Sequence, residues 1–345
     1  NDTLYGDGNA NAIDGGAGND TLIGGLGADT LTGGTGTDVA DYSASASAVT
    51  VYLDGTVGVG GDAAGDVLSG IENLTGSAGA DTLTGDANAN VLDGGSGNDT
   101  LVGGAGGDTL IGGAGSDTAS YANAASGVTA SLANTAINTG DALGDSYSGI
   151  ENLTGSGLAD TLYGDSNANA IDGGAGNDTL IGGAGNDSLT GGSGTDTADY
   201  SASAAAVTVY LNGTVGVGGD AAGDVLSGIE NITGSANGDT LNGDGNANVL
   251  DGGAGNDTLI GGAGADTLIG GSGTDTASYA TASAAVIASL GNSAINTGDA
   301  NGDTYNSIEN LVGSNFDDTL YGDANGNQLD GGSGNDTLVG GAGAD

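Results

Sequence analysis

Large aliphatic side chains recur every nine residues along most of the chain, and small polar residues flank each of them. Leu22 and Leu31 are typical, and the glycine-rich stretch GGLGAD separates them. Alternation over three residues places the middle side chain on one face of a short strand and its neighbours on the other. The pattern predicts short strands joined by tight glycine turns, and two successive nonapeptides supply the two strands and two turns of one coil. The positions predicted to face the core are Leu22, Leu31, Leu101, Leu110, Leu180, Leu189, Leu259, Leu268 and Leu338.

The nonapeptides belong to a longer repeat. Equivalent copies start at Gly15, Gly94, Gly173, Gly252 and Gly331, and successive starts are 79 residues apart. Each of the first four units has six nonapeptides and one insert that breaks the nine-residue frame, whereas the fifth copy runs off the end of the sequence. The inserts cover residues 42–66, 121–145, 200–224 and 279–303.

The first insert resembles the third, and the second resembles the fourth, so the units follow an A-B-A-B order. An alternating run, Val207 to Leu211, predicts that an insert adds a strand and widens its coil. The sequence therefore predicts a single continuous solenoid over residues 1–345. Because neither end shows an atypical capping repeat, we interpret the chain as a window from a longer array.

The charge is one-sided, with no Lys, Arg or His against 45 Asp and Glu, which gives a formal net charge of −45. We therefore expect no nucleic acid partner and no direct binding to anionic membranes, because both need basic side chains. The absence of Cys and His excludes thiolate and imidazole chemistry and zinc sites built from these residues. With 77 Gly and 3% aromatic residues, a large conventional core is also excluded. The expected partners are cations.

Fourteen nonapeptides match GGxGxD. Glycine permits positive φ and close approach of backbone carbonyls, and the Asp supplies a charged ligand. Turns that are two nonapeptides apart fall on the same side of the coil, so Asp20 lies next to Asp38 and Asp178 next to Asp196. Two carboxylates about 4 Å apart repel by roughly 4 kcal/mol at an effective dielectric constant near 20, so a cation is needed. Ca²⁺ suits such a site because it takes six to eight oxygen ligands in flexible geometry. The candidate metal-binding residues are Gly15, Gly18, Asp20, Gly24, Asp29, Gly33, Asp38, Asp81, Gly94, Asp99, Asp108, Asp117, Asp160, Gly173, Asp178, Asp187, Asp196, Asp239, Gly252, Asp257, Asp266, Asp275, Asp318, Asp336 and Asp345.

The pattern G-G-x-G-x-D-x-U-x, with U a large aliphatic residue, resembles the calcium-binding nonapeptide of RTX (repeats-in-toxin) proteins over nearly the whole chain. This resemblance implies an all-β fold, a right-handed parallel β-roll with Ca²⁺ in columns along its turns. It also implies a chain that is unfolded in the low-calcium cytosol, leaves by type I secretion and folds on export. We therefore expect a secreted protein or one on the bacterial cell surface.

Some positions depart from the motif. Nonapeptides such as the one at Gly164, GDSNANAID, carry Asn in place of the Asp, and we expect weak or absent calcium binding there or an uncharged ladder of Asn side chains. Glu72 occupies the Asp position in its unit and is interpreted as a recurring ligand or corner device. Tyr200 is predicted to face inward with Ala198. The acidic turn GGDAAGD at 218–224 has room for an ion.

The regular array offers no unique constellation for acid–base catalysis, so an enzyme is not expected. We expect a calcium-dependent structural or adhesive rod in a surface layer, filament or giant adhesin, since end-to-end stacking hides open coil edges. The expected partners are copies of itself, end to end or side by side, and a cell surface reached through regions outside this sequence. An alternative is the RTX secretion and folding module of a larger exported toxin or hydrolase. A minor alternative is an ice-binding surface of outward Thr residues such as Thr21 and Thr30, although the neighbouring outward position varies.

Overall fold

The structure is a computed structural model that describes residues 1–345, and its regular elements are short β-strands and 3₁₀ helices. Most strands have three residues, of which the middle side chain is buried and its neighbours are half-buried. This is the pattern predicted from the nine-residue period. None of the helices has the length and apolar character needed to cross a membrane.

The chain forms two compact units, the first made of residues 1–164 and 169–176 and the second of residues 165–168 and 177–345. The strands of the first unit are β1 Thr3–Tyr5, β2 Ala12–Ala17, β3 Thr21–Ile23, β4 Thr30–Thr35, β5 Val39–Asp41, β6 Thr50–Tyr52, β7 Val67–Ser69, β8 Asn73–Thr75, β9 Thr82–Thr84, β10 Val91–Ser96, β11 Thr100–Val102, β12 Thr109–Ala114, β13 Thr118–Ser120, β14 Thr129–Ser131, β15 Ser146–Ser148, β16 Asn152–Thr154, β17 Thr161–Tyr163 and β18 Ala170–Gly176. Those of the second are β19 Thr179–Ile181, β20 Ser188–Gly194, β21 Thr197–Asp199, β22 Thr208–Tyr210, β23 Val225–Ser227, β24 Asn231–Thr233, β25 Thr240–Asn242, β26 Val249–Asp251, β27 Ala254–Gly255, β28 Thr258–Ile260, β29 Thr267–Ile269, β30 Ser272–Gly273, β31 Thr276–Ser278, β32 Ile287–Ser289, β33 Thr304–Asn306, β34 Asn310–Val312, β35 Thr319–Tyr321, β36 Gln328–Asp330 and β37 Thr337–Val339. The 3₁₀ helices all lie in the inserts, at Gly61–Ala63, Thr135–Ile137, Gly140–Ala142, Gly219–Ala221, Ser293–Ile295 and Gly298–Ala300.

All strands pair in parallel with a strand of the next coil, and between ordinary coils the paired residues are two nonapeptides apart. Thr3 pairs with Thr21, for example, and Thr240 pairs with Thr258. In the first unit the longest sheet runs β1-β3-β5-β8-β10-β12-β15, and a second wall runs β6-β9-β11-β13-β16-β18. In the second unit the corresponding walls run β19-β21-β24-β26-β29-β33 and β22-β25-β28-β31-β34-β36. The fold is therefore the predicted all-β parallel β-roll. The prediction of a single continuous solenoid stays a prediction.

Each insert exchanges one wall of the roll for another. At the first insert, β7 ends the sheet β2-β4-β7, whereas β6, inside the insert, begins the sheet that continues through β9. The opposite wall continues across the insert, because Val39 of β5 pairs with Asn73 of β8. The coil that contains an insert is therefore wider, with three strands in place of two.

The first strand of each new wall would present an open edge, and the insert covers that edge itself. The N–H of Thr50 donates to the carbonyl of Val59 at 2.7 Å, and the N–H of Val59 donates to the carbonyl of Thr50 at 2.9 Å. Antiparallel bridges of the same kind are Thr50–Val59, Thr129–Thr139, Thr208–Val217 and Ile287–Thr297. Covering an edge strand in this way removes a site where another chain could pair.

The core is a stack of aliphatic side chains, one from each strand. The predicted inward leucines are at most 1% exposed with one exception: Leu338 is 46% exposed, because it lies in the last coil of the structure. Tyr200 and its equivalents are also buried, at 2–3% exposure, as predicted from their distance to the inward Ala.

Because Leu101 is fully buried between β9 and β13, Leu101→Ala should destabilise the surrounding coils by about 2–5 kcal/mol. Hydrogen exchange of the β9 and β13 amides in the calcium-loaded chain measures this loss as faster exchange. The control is Leu26→Ala, which removes the same atoms from a side chain that is 62% exposed. Equal exchange in the two variants would contradict the stacked core.

Candidate metal sites

The Asp at the sixth position of a nonapeptide lies inside the protein and not on its surface. Asp99 Oδ1 accepts the backbone N–H of Asp81 at 2.7 Å, and Asp117 Oδ1 accepts that of Asp99 at 2.7 Å. The carboxylates therefore form a ladder along the roll axis. The predicted acidic residues that are buried are Asp20, Asp29, Asp38, Asp81, Asp99, Asp108, Asp117, Asp160, Asp178, Asp187, Asp196, Asp239, Asp257, Asp266, Asp275 and Asp318. Asp336 is half-buried and Asp345 exposed, because both lie in the last coil.

One ladder can be followed along the first unit. Its members in order are Asp2, Asp20, Asp38, Glu72, Asn90, Asp108 and Asp145. Between Glu72 and Asn90 the link differs, because the Asn90 side-chain amide donates to the Glu72 backbone carbonyl. Glu72 Oε2 accepts the N–H of Asp38 at 2.8 Å, across the coil that the insert widens. The longer side chain of Glu therefore continues the ladder at the insert, which is the corner role interpreted from the sequence.

The second carboxylate oxygen distinguishes one class of these Asp residues. In this class Oδ2 is buried and accepts no hydrogen bond from any protein group. A buried charged oxygen without a partner carries a large desolvation cost, so its presence points to a cation ligand. Residues with such an Oδ2 are Asp20, Asp29, Asp38, Asp99, Asp108, Asp117, Asp196, Asp257, Asp266 and Asp275.

The first glycine of the motif leaves room beside this oxygen. A methyl group on Gly15 would lie 2.8 Å from Asp20 Oδ2 and 2.7 Å from the carbonyl oxygen of Gly33, one coil further on. The space that a side chain on Gly15 would fill is thus bordered by the Asp20 carboxylate and the Gly33 backbone carbonyl. First-position glycines whose added methyl would lie less than 3.0 Å from their own Asp Oδ2 include Gly15, Gly24, Gly33, Gly94 and Gly252. Gly173 has the same position in its nonapeptide.

These donors fit calcium. They are hard oxygens from carboxylates and carbonyls, which Ca²⁺ prefers. No three acidic side chains gather around one point, so backbone carbonyls must supply a large share of any ligand set. The glycine at the fourth position of the motif allows this approach: Gly18 has φ +122° and Gly264 has φ +142°, a region that other residues rarely adopt.

A second class of Asp is already satisfied by its own turn. The N–H of Ser77 donates to Asp81 Oδ2 at 2.5 Å, and the Ser77 hydroxyl donates to Asp81 Oδ1 at 2.8 Å. The same arrangement joins Ser156 to Asp160, Ser235 to Asp239 and Ser314 to Asp318. These Asp residues were predicted as metal ligands together with the others because each occupies the sixth position of its nonapeptide. The signal that separates them is Ser at the second position.

The Asn turns are also satisfied internally. Asn90 Oδ1 accepts the N–H of Asp86 at 2.8 Å, and Asn90 Nδ2 donates to the carbonyl of Glu72 at 2.8 Å. This agrees with the expectation of weak or absent calcium binding. The alternative, a ladder of Asn side chains, does not form at Asn90, since its neighbours in the ladder are Glu72 and Asp108.

Each insert ends in an Asp that is capped by a tyrosine. Asp66 Oδ1 accepts the N–H of Asp29 at 2.8 Å, and Asp66 Oδ2 accepts the Tyr42 hydroxyl at 3.0 Å. Burial raises the pKa of Tyr42 far above its ordinary value, which keeps the donor protonated. The equivalent pairs are Tyr121 with Asp145, Tyr200 with Asp224 and Tyr279 with Asp303. The acidic turn at 218–224 thus ends in Asp224, whose two carboxylate oxygens both accept hydrogen bonds. The constant sequence spacing between each Tyr and its Asp is the signal that could have revealed these pairs.

Burial opposes ionisation of Asp99 and Asp108. Desolvation, and then the neighbouring Asp81 and Asp117, raise the pKa of Asp99 to about 6. Desolvation, with smaller contributions from nearby carboxylates, raises the pKa of Asp108 to about 7. A cation offsets both effects, because it replaces lost hydration and screens like charges.

Comparisons with known proteins agree with the repeat pattern. The family model of the RTX calcium-binding nonapeptide repeat (four copies) matches residues 5–40, 67–101, 93–120, 145–180, 163–198, 224–259, 242–277 and 309–345. Among solved structures, a hyperactive, Ca²⁺-dependent, β-helical antifreeze protein from an Antarctic bacterium is 18% identical, with 96% of this chain and 80% of that chain covered. Its TM-score of 0.17 is too low to support any conclusion. No curated protein matches the chain.

We expect a calcium chelator at pH 8 to unfold the chain, because the ladder carboxylates then repel with no compensating charge. Far-UV circular dichroism should lose its β signal and regain it when calcium is restored. Magnesium is the matched control, since it demands a tighter octahedral site and should restore much less. A spectrum that the chelator leaves unchanged would contradict a role for calcium in folding.

Without calcium, the fold should depend on pH with a definite sign. The pKa of Asp99 and Asp108 lies above the ordinary value of 3.8, so the folded state binds protons more tightly than the unfolded state. Their contribution is present at low pH and is lost as the pH rises through about 6 to 7. Calcium-free protein prepared by dialysis should therefore show more β signal at pH 5 than at pH 8. The opposite order would exclude buried carboxylates as the destabilising groups.

Proposed function

Because the chain belongs to the RTX calcium-binding nonapeptide repeat family, its repeats bind Ca²⁺, and we propose that it serves as a calcium-stabilised structural or adhesive element outside the cell. The observation that carries the proposal is the carboxylate ladder, which recurs with the same order of residues. Each additional unit lengthens the protein and adds further GGxGxD turns that can bind calcium. Because most carboxylates recur at equivalent positions of several units, we propose no catalytic role.

The proposed ligands come from the fourteen GGxGxD turns. Asp20 Oδ2 and the carbonyl oxygen of Gly33 border one such position, and Asp38 Oδ2 with the carbonyl of Gly70 borders the next. An ion held between successive turns would connect two coils. Calcium would therefore stabilise stacking along the roll as well as the conformation of a single turn.

An extracellular location follows from the same dependence. Calcium is abundant outside cells and scarce in the cytosol, so a fold that needs it forms after export. RTX repeat proteins are typically exported, and this chain has no cysteine whose oxidation export would affect. A surface layer, a filament or a large adhesin would use such an element. We propose that copies associate end to end or side by side, and that regions beyond this sequence attach them to the cell surface.

Electron microscopy of the chelated chain, before and after calcium is restored to millimolar concentration, tests the assembly. Filaments or sheets that appear only with calcium are the expected result, with sedimentation velocity as a second measure of size. If calcium-loaded protein stays as folded single particles at every protein concentration, self-assembly is contradicted. That result would favour the alternative, a secretion and folding module of a larger protein. Magnesium at the same concentration controls for simple charge screening.

A further inference from the structure

Two turns of this chain differ by one residue and adopt different structures. Residues 76–81 read GSAGAD, and residues 261–266 read GGAGAD. The only difference is the second position, Ser77 against Gly262. The comparison isolates what that position does.

In residues 261–266, which have glycine at the second position, Asp266 keeps one oxygen without a hydrogen bond, and we name a turn of this kind an open turn. Gly262 has φ +91° and Gly264 has φ +142°. Asp266 Oδ2 is buried and accepts no hydrogen bond. A side chain on Gly262 would collide with the carbonyl oxygen of Asp244 in the preceding coil, so the open turn requires glycine here.

With serine at the second position the turn folds onto its own Asp, and we name this a closed turn. Neither Ser77 nor Gly79 has a positive φ. The N–H of Ser77 donates to Asp81 Oδ2 at 2.5 Å, and the Ser77 Oγ accepts the N–H of Gly79 at 3.0 Å. A backbone N–H therefore occupies the oxygen that the open turn leaves available.

The rest of the chain follows the same division. In the other serine turns the fourth residue is Leu158, Asn237 or Phe316, and each donates its N–H to the serine hydroxyl. In Asn turns an Asp holds the second position, as at Asp86, whose N–H donates to Asn90 Oδ1 and whose side chain accepts the N–H of Asn88. The fourteen GGxGxD nonapeptides all have glycine at the second and at the fourth position.

We propose that the second residue of a nonapeptide decides whether its turn binds calcium. Glycine leaves the carboxylate to the ion, whereas Ser or Asp replaces the ion with an internal hydrogen bond. Three of the six nonapeptides of each unit are then calcium sites, and the others hold the ladder together without metal. Asp81, Asp160, Asp239 and Asp318 belong to the second group. The inference rests on calcium binding by the repeats and not on an extracellular structural role.

The two turns allow a reciprocal exchange. Ser77→Gly gives residues 76–81 the sequence of the open turn, and Gly262→Ser gives residues 261–266 that of the closed turn. Native mass spectrometry of the full chain counts the bound ions. We expect one more Ca²⁺ than the parent in Ser77→Gly and one fewer in Gly262→Ser.

The controls place the same hydroxyl one residue later, as Ala78→Ser and Ala263→Ser, where both alanines are exposed. Neither should change the count. An unchanged count in Ser77→Gly beside a calcium-loaded parent overturns the inference, and this variant decides alone if Gly262→Ser does not fold. A parent that binds no calcium overturns both the inference and the proposed function. Calcium binding without assembly would contradict the proposed function alone.

Discussion

The fold depends on burying a row of like charges. Asp99 and Asp117 are at most 1% exposed, they are consecutive members of one ladder, and each has an oxygen that no protein group satisfies. A chain without Lys, Arg or His has no side chain that could neutralise them. We therefore expect the same carboxylates that organise the turns to oppose closure of the roll when no cation is bound. On this prediction stability and calcium binding are coupled, because the ion supplies what the small core and the hydrogen bonds do not.

Much of the architecture could be predicted because it follows from spacing. A nine-residue period with an aliphatic residue between small polar ones fixes the strands, the register of two nonapeptides per coil and the inward leucines. Only Leu338 differed, since a side chain in the last coil lacks a neighbour on one side. The exchange of walls at β6 and β7 could not be predicted from the sequence. Spacing shows that an insert is present, but it does not show which strand the insert pairs with.

The metal sites were predicted as a class but not resolved one by one. Asp81 and Asp99 both occupy the sixth position of a nonapeptide and were both predicted as ligands, whereas hydrogen bonds separate them: Ser77 satisfies both oxygens of Asp81, and no group satisfies Asp99 Oδ2. Tyr42 illustrates the same limit, since alternation placed its ring in the core but gave no partner for its hydroxyl. Periodicity reports which face a residue takes. The partner of a polar atom depends on the backbone conformation of a single turn.

The mixture of open and closed turns also has a physical reason. In a ladder made only of open turns, every coil would carry a carboxylate whose charge is not compensated. Without calcium, no two neighbouring coils could then begin to pair. Closed turns such as the one at Ser77, and the tyrosine-capped Asp66, satisfy their carboxylates with the chain's own donors. They lie beside or within the inserts, where one wall is exchanged for another and correct pairing is most demanding. Coils that pair without metal at the inserts would set the register of the strands, and calcium would then stabilise the regular coils between the inserts.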